Sequence, residues 1–147
     1  MNWQEHKPEE FSYRGKWIYN WFSNMEITPL IIDGVQWPSV ENYFQAQKSI
    51  EPTVQYSFRK VTPSESKRLG RSVLLRQDWE QVKESVMEKA LRIKFSRDPW
   101  KSQLKATGDS QIIEWNNWND KIWGVSIYDN VGENKLGLLL MKIRSEL

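Results

Sequence analysis

The chain of 147 residues has no cysteine and a single histidine, His6. The first absence excludes disulfides, thiol nucleophiles and thiolate metal sites. The second argues against a His-rich metal centre and, because His6 lies in the N-terminal tail, against a Ser-His-Asp triad, so no metal site is expected and no cofactor is invoked. No apolar run reaches the roughly 18 residues of a membrane-spanning helix. The opening residues, MNWQEHKPEE, lack the apolar core of a signal peptide. A cytoplasmic protein with no membrane partner is the simplest expectation. Net charge is also small: 21 Lys and Arg against 19 Asp and Glu leave +2, too little for nucleic-acid binding by bulk electrostatics. Any acid–base chemistry falls to carboxylates or lysines.

What the chain does have is tryptophan, nine in all. An aromatic-rich core is one reading; stacking on a planar heterocycle beside charged groups is the other. Its most organised stretch is Ile31–Lys48, IIDGVQWPSVENYFQAQK. Asp33-Gly34 between apolar runs predicts a tight hairpin turn, with Ile27–Ile32 as the first strand. The return strand stops at Pro38, which has no N–H to give a ladder. Ser39 then stands where a helix N-cap belongs. Inside that helix Glu41, Gln45 and Lys48 fall at i, i+4 and i+7 and share a face, while Tyr43, Ala46 and Ile50 point elsewhere and can anchor it in a core.

The remainder reads mostly as helix. Residues 1–20 have no clear period and are taken as a loose arm with a short strand near Trp17–Tyr19. A short helix is expected over Thr53–Arg59. Thr62-Pro63-Ser64-Glu65 combines a capping box with proline at the first helical position, and Gly70 is a natural residue to end that helix. Arg59, Lys60, Lys67, Arg68, Arg71 and Arg76 surround the lone acid Glu65. They form either a solvated basic face or an anion site, Arg71 being the best single phosphate candidate. Asp78 is expected to cap the longest helix, Trp79–Ser96, with Trp79, Val82, Val86, Ala90 and Ile93 or Lys94 as its apolar stripe. Another short helix starts at Asp98-Pro99 and closes at Gly108. Ile112–Trp115 follows as a strand with alternating faces, then a turn through Asp120 and a segment Lys121–Ile127 carrying Trp123-Gly124. The last helix, Lys135–Glu146, has Asn134 as N-cap and Leu136, Leu139, Leu140 and Ile143 toward the core. The expected fold is a compact, predominantly helical α+β single domain with a small antiparallel sheet, residues 21–147 following the arm 1–20.

Without histidine, thiols or metals, carboxylate chemistry such as glycosidic hydrolysis is favoured. A candidate site combines Glu41, Lys48 and Asp120 with some of Trp37, Trp79 and Trp123. A partly buried Glu beside aromatic rings suits a proton donor, a role that contributes about 10²–10⁴-fold in rate. A deprotonated lysine can instead attack an opened sugar to form a Schiff base. The plainer alternative is that Glu41 and Lys48 pair at a surface and Asp120 closes a turn. From spacing alone both remain open.

Trp37-Pro38-Ser39-Val40-Glu41-Asn42-Tyr43-Phe44-Gln45-Ala46-Gln47-Lys48 resembles the signature of the YbiA-like, or NADAR, family. Phe22-Ser23-Asn24-Met25, Leu69-Gly70-Arg71 with Asp78-Trp79, and Met87-x-x-Ala90-Leu91-x-x-Lys94-Phe95 continue the resemblance. So do Thr107-Gly108-Asp109, Asp120-x-x-Trp123-Gly124 and Gly132-x-Asn134-x-Leu136-Gly137, so that the ordered series runs from about Trp21 to Leu147. The resemblance implies an N-glycosidase cleaving the C–N bond of early riboflavin intermediates, which carry ribose 5-phosphate on a pyrimidine amine. The alternatives it implies are removal of ADP-ribose from guanine in nucleic acid and a non-catalytic ADP-ribose- or nucleotide-binding module. The partner is then a small ribosyl phosphate or ADP-ribosyl compound, with ADP-ribosylated nucleic acid a further possibility; oligomeric state is left open. Carried over by motif, Glu41 and Asp120 are catalytic and Trp79 holds substrate. Lys48 is a Schiff-base or phosphate-binding lysine, and Asn24, Arg71 and Asn134 contact ribose and phosphate, with Trp123 and Gly124 beside them. Met25 replaces a usual phenylalanine. Asn42 stands where many members have histidine, and a substrate contact there would shift specificity. Arg14 and Trp17 of the arm are candidates to complete or cover the pocket.

Overall fold

The computed structural model describes residues 22–147; the expectations for the arm, its strand, Arg14 and Trp17 lie outside the described residues. The chain divides into two compact units, one of Ser23–Arg97, the other containing Phe22 and Asp98–Leu147.

In the first unit β1 (Leu30–Ile32) pairs antiparallel with β2 (Val35–Trp37), Leu30 opposite Trp37. Asp33 and Gly34 make the turn at φ 52° and 79°, the left-handed region the Asp-Gly pair predicts. β1 is shorter than the expected Ile27–Ile32 and begins after Pro29, which has no ladder donor. Leu30 and Ile32 point inward and Ile31 outward, the period of two that fixes the hairpin's core face. Two residues later α1 (Val40–Ala46) starts, with the Ser39 hydroxyl accepting from Asn42 N–H. Every residue of α1 is buried. It is the axis of this unit: α2 (Pro52–Ser57), α3 (Pro63–Leu69) and α4 (Trp79–Lys94) all pack against it.

Both halves of the capping box form at α3, Glu65 N–H donating to Thr62 Oγ1 at 3.2 Å and Thr62 N–H to Glu65 Oε2 at 3.4 Å. The helix ends at Gly70 as expected, but Gly70 has φ −61° and is right-handed. Conformational freedom is therefore not why glycine stands there. Three further expectations change. Asp78 occupies the N-cap position of α4 without a capping bond, its carboxylate paired with Arg76 at 2.6 Å. The fully buried face of α4 is Trp79, Met87, Ala90, Leu91 and Lys94, with Val82, Val86 and Ile93 half-buried beside it. Ile50 is 66% exposed, because α1 has ended at Ala46 and no longer directs it inward.

In the second unit α5 (Trp100–Ala106) packs on α6 (Lys135–Ser145), which buries Leu136, Leu140 and Ile143 and half-buries Leu139. Arg144 of α6 donates to Thr107 Oγ1 and Ser110 O. Ile112, Ile113 and Trp115 are all buried, so the expected alternation is absent. Only β3 (Trp115–Asn116) pairs, in parallel with β4 (Val125–Ser126). The described residues thus form a predominantly helical α+β fold with a small antiparallel hairpin, to which this parallel pair is an addition. None of their helices is long and apolar enough to cross a membrane.

Candidate active site

The polar stripe of α1 stays together but does not face water. Glu41 is 8% exposed and Gln45 6%. Glu41 sits in the first turn because two segments converge there: Ser39 caps the helix, and Glu41 N–H donates to Asn24 O at 3.1 Å. Gln45, one turn on, donates from Nε2 to Glu41 Oε1 at 2.8 Å. Lys48 lies just past the C-cap, half-buried, its Nζ 3.4 Å from Gly70 O. Burial pushes the Lys48 amine below the usual lysine range; the Glu41 carboxylate opposes this and the Arg71 guanidinium adds to it. Glu41, Lys48 and Arg71 therefore share one electrostatic neighbourhood, with Arg71 exposed.

Asn24 enters this neighbourhood through its backbone. Its Nδ2 is turned to Met87 Sδ at 3.4 Å, and its Oδ1 is buried without a hydrogen-bond partner among the described residues. Trp79 is 6% exposed and packs on Phe44, ring centroids 5.1 Å apart. Trp37 is likewise buried, edge-on to Tyr43 at 5.6 Å. Contact with the side chains of α1 accounts for where both rings lie.

Asp120, Trp123, Gly124 and Asn134 belong to the second unit. Asp120 Oδ1 accepts from Ile122 N–H at 3.1 Å and Trp123 N–H at 3.0 Å, while its backbone is clasped at both ends by the Asn116 amide. It closes the turn, the plainer of the two readings of its sequence. Trp123 is half-buried. Gly124 is a close-approach residue: an added Cβ would lie 2.3 Å from Glu114 O, a backbone atom with no room to give. Asn134 departs from its expected substrate contact. It is 0% exposed, and its amide accepts from Glu114 N–H and donates to Ile112 O, both at 2.9 Å. That amide ties the 112–114 segment to the start of α6, where it makes no side-chain cap.

The basic segment does not gather into one anion site. Arg59 donates to Gln36 O and lies over Tyr56, Lys60 also lies over Tyr56, and Arg76 pairs with Asp78. A groove of about 1020 Å³ beside it is walled largely by Ile50, Val54, Phe58, Leu69, Leu74 and Leu75. Neither Glu41, Lys48 nor Arg71 lines that groove. Of its charged lining residues Arg76 and Asp78 pair with each other, and Glu51 is the remaining acid.

Three residues gain a task that sequence reasoning did not assign. Asn42 is fully buried, donating to Phe58 O at 2.8 Å and Val61 O at 3.0 Å. It is an internal strut rather than a substrate contact. Lys94 is 0% exposed and donates from Nζ to Ser23 O at 3.0 Å, bracing the loop whose next residue holds Glu41 N–H. Its signal was present in the phase of α4, since Lys94 continues the Met87, Ala90 and Leu91 face. Gln45 was visible as a member of the stripe.

The chain matches the family described as the NADAR domain over residues 3–147. It is 41% identical over 133 residues to the protein named N-glycosidase YbiA of Escherichia coli, covering 88% of this chain and 82% of that one. The NMR structure of E. coli YbiA is similar at a TM-score of 0.78, covering 87% of this chain and 77% of that one, again at 41% identity. A protein of Vibrio vulnificus named as a riboflavin biosynthesis protein is 34% identical over 133 residues, 88% of this chain and 36% of the longer relative.

Proposed function

The chain belongs to the NADAR domain family, and on that premise we propose that it is an N-glycosidase, a hydrolase that exchanges the C–N bond of an N-glycosyl compound for a C–O bond to water. The names of its relatives support this reading. The observation that carries it is the buried pairing of Glu41 and Gln45 with Lys48 nearby, a carboxylate and a lysine of lowered basicity in one neighbourhood. Each property suits the reaction. A carboxyl shielded from water can give a proton to the departing nitrogen and recover it from the attacking water. A lysine pushed below its usual range supplies more neutral amine at physiological pH, as a nucleophile at sugar C1 requires.

On a ribosylated exocyclic amine the sugar opens to an imine; the Lys48 amine adds to C1, the pyrimidine amine leaves with a proton, and water then releases the sugar aldehyde from lysine. Glu41 is the group proposed to carry the proton in both halves. Arg71, exposed and within electrostatic reach of Lys48, is the proposed phosphate contact. Asp120, Trp79, Asn24, Trp123 and Gly124 keep their proposed roles from the family motif.

The substrate class proposed is the ribosyl phosphate of a pyrimidine amine from early riboflavin synthesis, supported by the name of the Vibrio relative. Incubation with that intermediate and, separately, with DNA carrying ADP-ribosyl guanine tests it, release of ribose 5-phosphate being the expected product. Release of ADP-ribose alone would move the assignment to the larger substrate. Binding without release from either would make the chain a recognition module.

A further inference from the structure

We propose that Gln45 is a positioning residue for Glu41, and that Gly70 is glycine because a side chain there would occupy the space of the Gln45 amide. The role rests on the hydrolase reading given above; the geometry does not. Gln45 Nε2 donates to Glu41 Oε1 at 2.8 Å. Its own Oε1 is buried and has no hydrogen-bond partner among the described residues. A buried acceptor left without a donor is costly, so something must hold the amide in this orientation. Turning it over would not help, because Gln45 Oε1 would then face Glu41 Oε1, acceptor against acceptor.

The far side of the amide is shaped by Gly70. A Cβ built there would lie 1.8 Å from Gln45 Oε1 and 2.7 Å from Gln45 Cδ. With φ −61° the position is open to any residue on backbone grounds. What glycine supplies is clearance. One consequence is chemical: Oε1 of Glu41 receives an N–H and must present a lone pair. Because a carbonyl oxygen accepts an N–H better than a hydroxyl oxygen does, protonation of Glu41 is favoured on Oε2, and Gln45 biases which oxygen acts as acid. The other consequence is electrostatic, since a donor to a carboxylate favours its ionised form.

The test uses the full chain with Gln45→Met, which keeps the volume and loses the donor. Loss of one charge-assisted hydrogen bond predicts that kcat falls roughly 10- to 100-fold with little change in KM, and that the Glu41-dependent limb of the kcat–pH profile moves to higher pH. Gln45→Glu should recover activity only at low pH, where the introduced carboxyl is protonated and can donate. Gly70→Ala should mimic Gln45→Met, yet cost little more in a Gln45→Ala background, where the clash is gone. Titration of the ¹³C-labelled Glu41 carboxyl by NMR reads the contact without turnover, and its midpoint should rise in Gln45→Met. If wild type releases no product, the hydrolase reading fails while this titration still tests the contact. An unmoved titration, kcat within about twofold of wild type, or an equal loss from Gly70→Ala in both backgrounds overturns the proposal.

Discussion

Ser39 and Asn42 hold each other twice: the Ser39 hydroxyl donates to Asn42 Oδ1 at 2.6 Å and accepts from Asn42 N–H at 3.1 Å. The helix cap is thereby locked to a side chain that also donates to two carbonyls beyond α2, Phe58 O and Val61 O. Glu41 lies between these two residues in sequence, so the same lock sets its turn.

Asn42→Ala leaves those two carbonyls and the Ser39 hydroxyl short of partners in the interior. A loss of about 2–4 kcal/mol in unfolding free energy is expected, measured by urea denaturation. The backbone half of the lock, Asn42 N–H to Ser39 Oγ, survives the change, so activity per folded molecule at low temperature should change little. A variant as stable as wild type would mean that water replaces the amide.

The proposed nucleophilic role of Lys48 ties pH to turnover. Its amine titrates below the ordinary lysine range, and only the neutral form is nucleophilic, so turnover should rise with pH through that lowered value. Borohydride added during turnover should trap a sugar–protein adduct in wild type and none in Lys48→Arg. If the arginine variant turns over normally, Lys48 binds phosphate instead. The same lowering makes the unfolded chain hold this proton more tightly than the folded one. The cost to stability is relieved as pH rises from the lowered value to that of free lysine.

Asp120 needs a substitution that separates turn from chemistry. Asn retains an oxygen for the N–H groups of Ile122 and Trp123 and removes the acid. Asp120→Asn should keep the melting temperature while lowering kcat on the order of 10²-fold, the lower end of a general acid's contribution. Full activity would make Asp120 a turn residue alone.

Asn134 is the opposite case. Its φ of 54° suits Asn or Gly, so Asn134→Gly keeps the backbone and deletes the two amide bonds to Glu114 and Ile112. The loss should appear as about 2–4 kcal/mol of stability, with KM unchanged. A selective rise in KM would restore it to the substrate.

Local chemistry was the legible part of this fold. Asp33-Gly34, Ser39 and the Thr62/Glu65 box act over four residues or fewer, and each appears where its chemistry placed it. What depends on distant partners was not legible. The parallel pairing of Trp115 with Val125 spans a loop whose path no periodicity reports. Asp78 was read as a cap although Arg76, only two residues away, competes for the same carboxylate, a rotamer choice that helical spacing does not report. Of the site, Glu41 and Lys48 were readable as one stripe by helical spacing. That Gln45 fills the space over Gly70 requires the packing of α1 on α3.

Proton movement by Glu41 is the step on which the proposed activity depends. Glu41→Gln preserves shape, so wild type and variant should melt alike, and single-turnover assays on the ribosylated pyrimidine amine measure the chemistry alone. The prediction is a fall in rate of about 10²-fold or more at unchanged substrate affinity. A folded Glu41→Gln chain that cleaves at near wild-type rate would contradict the account.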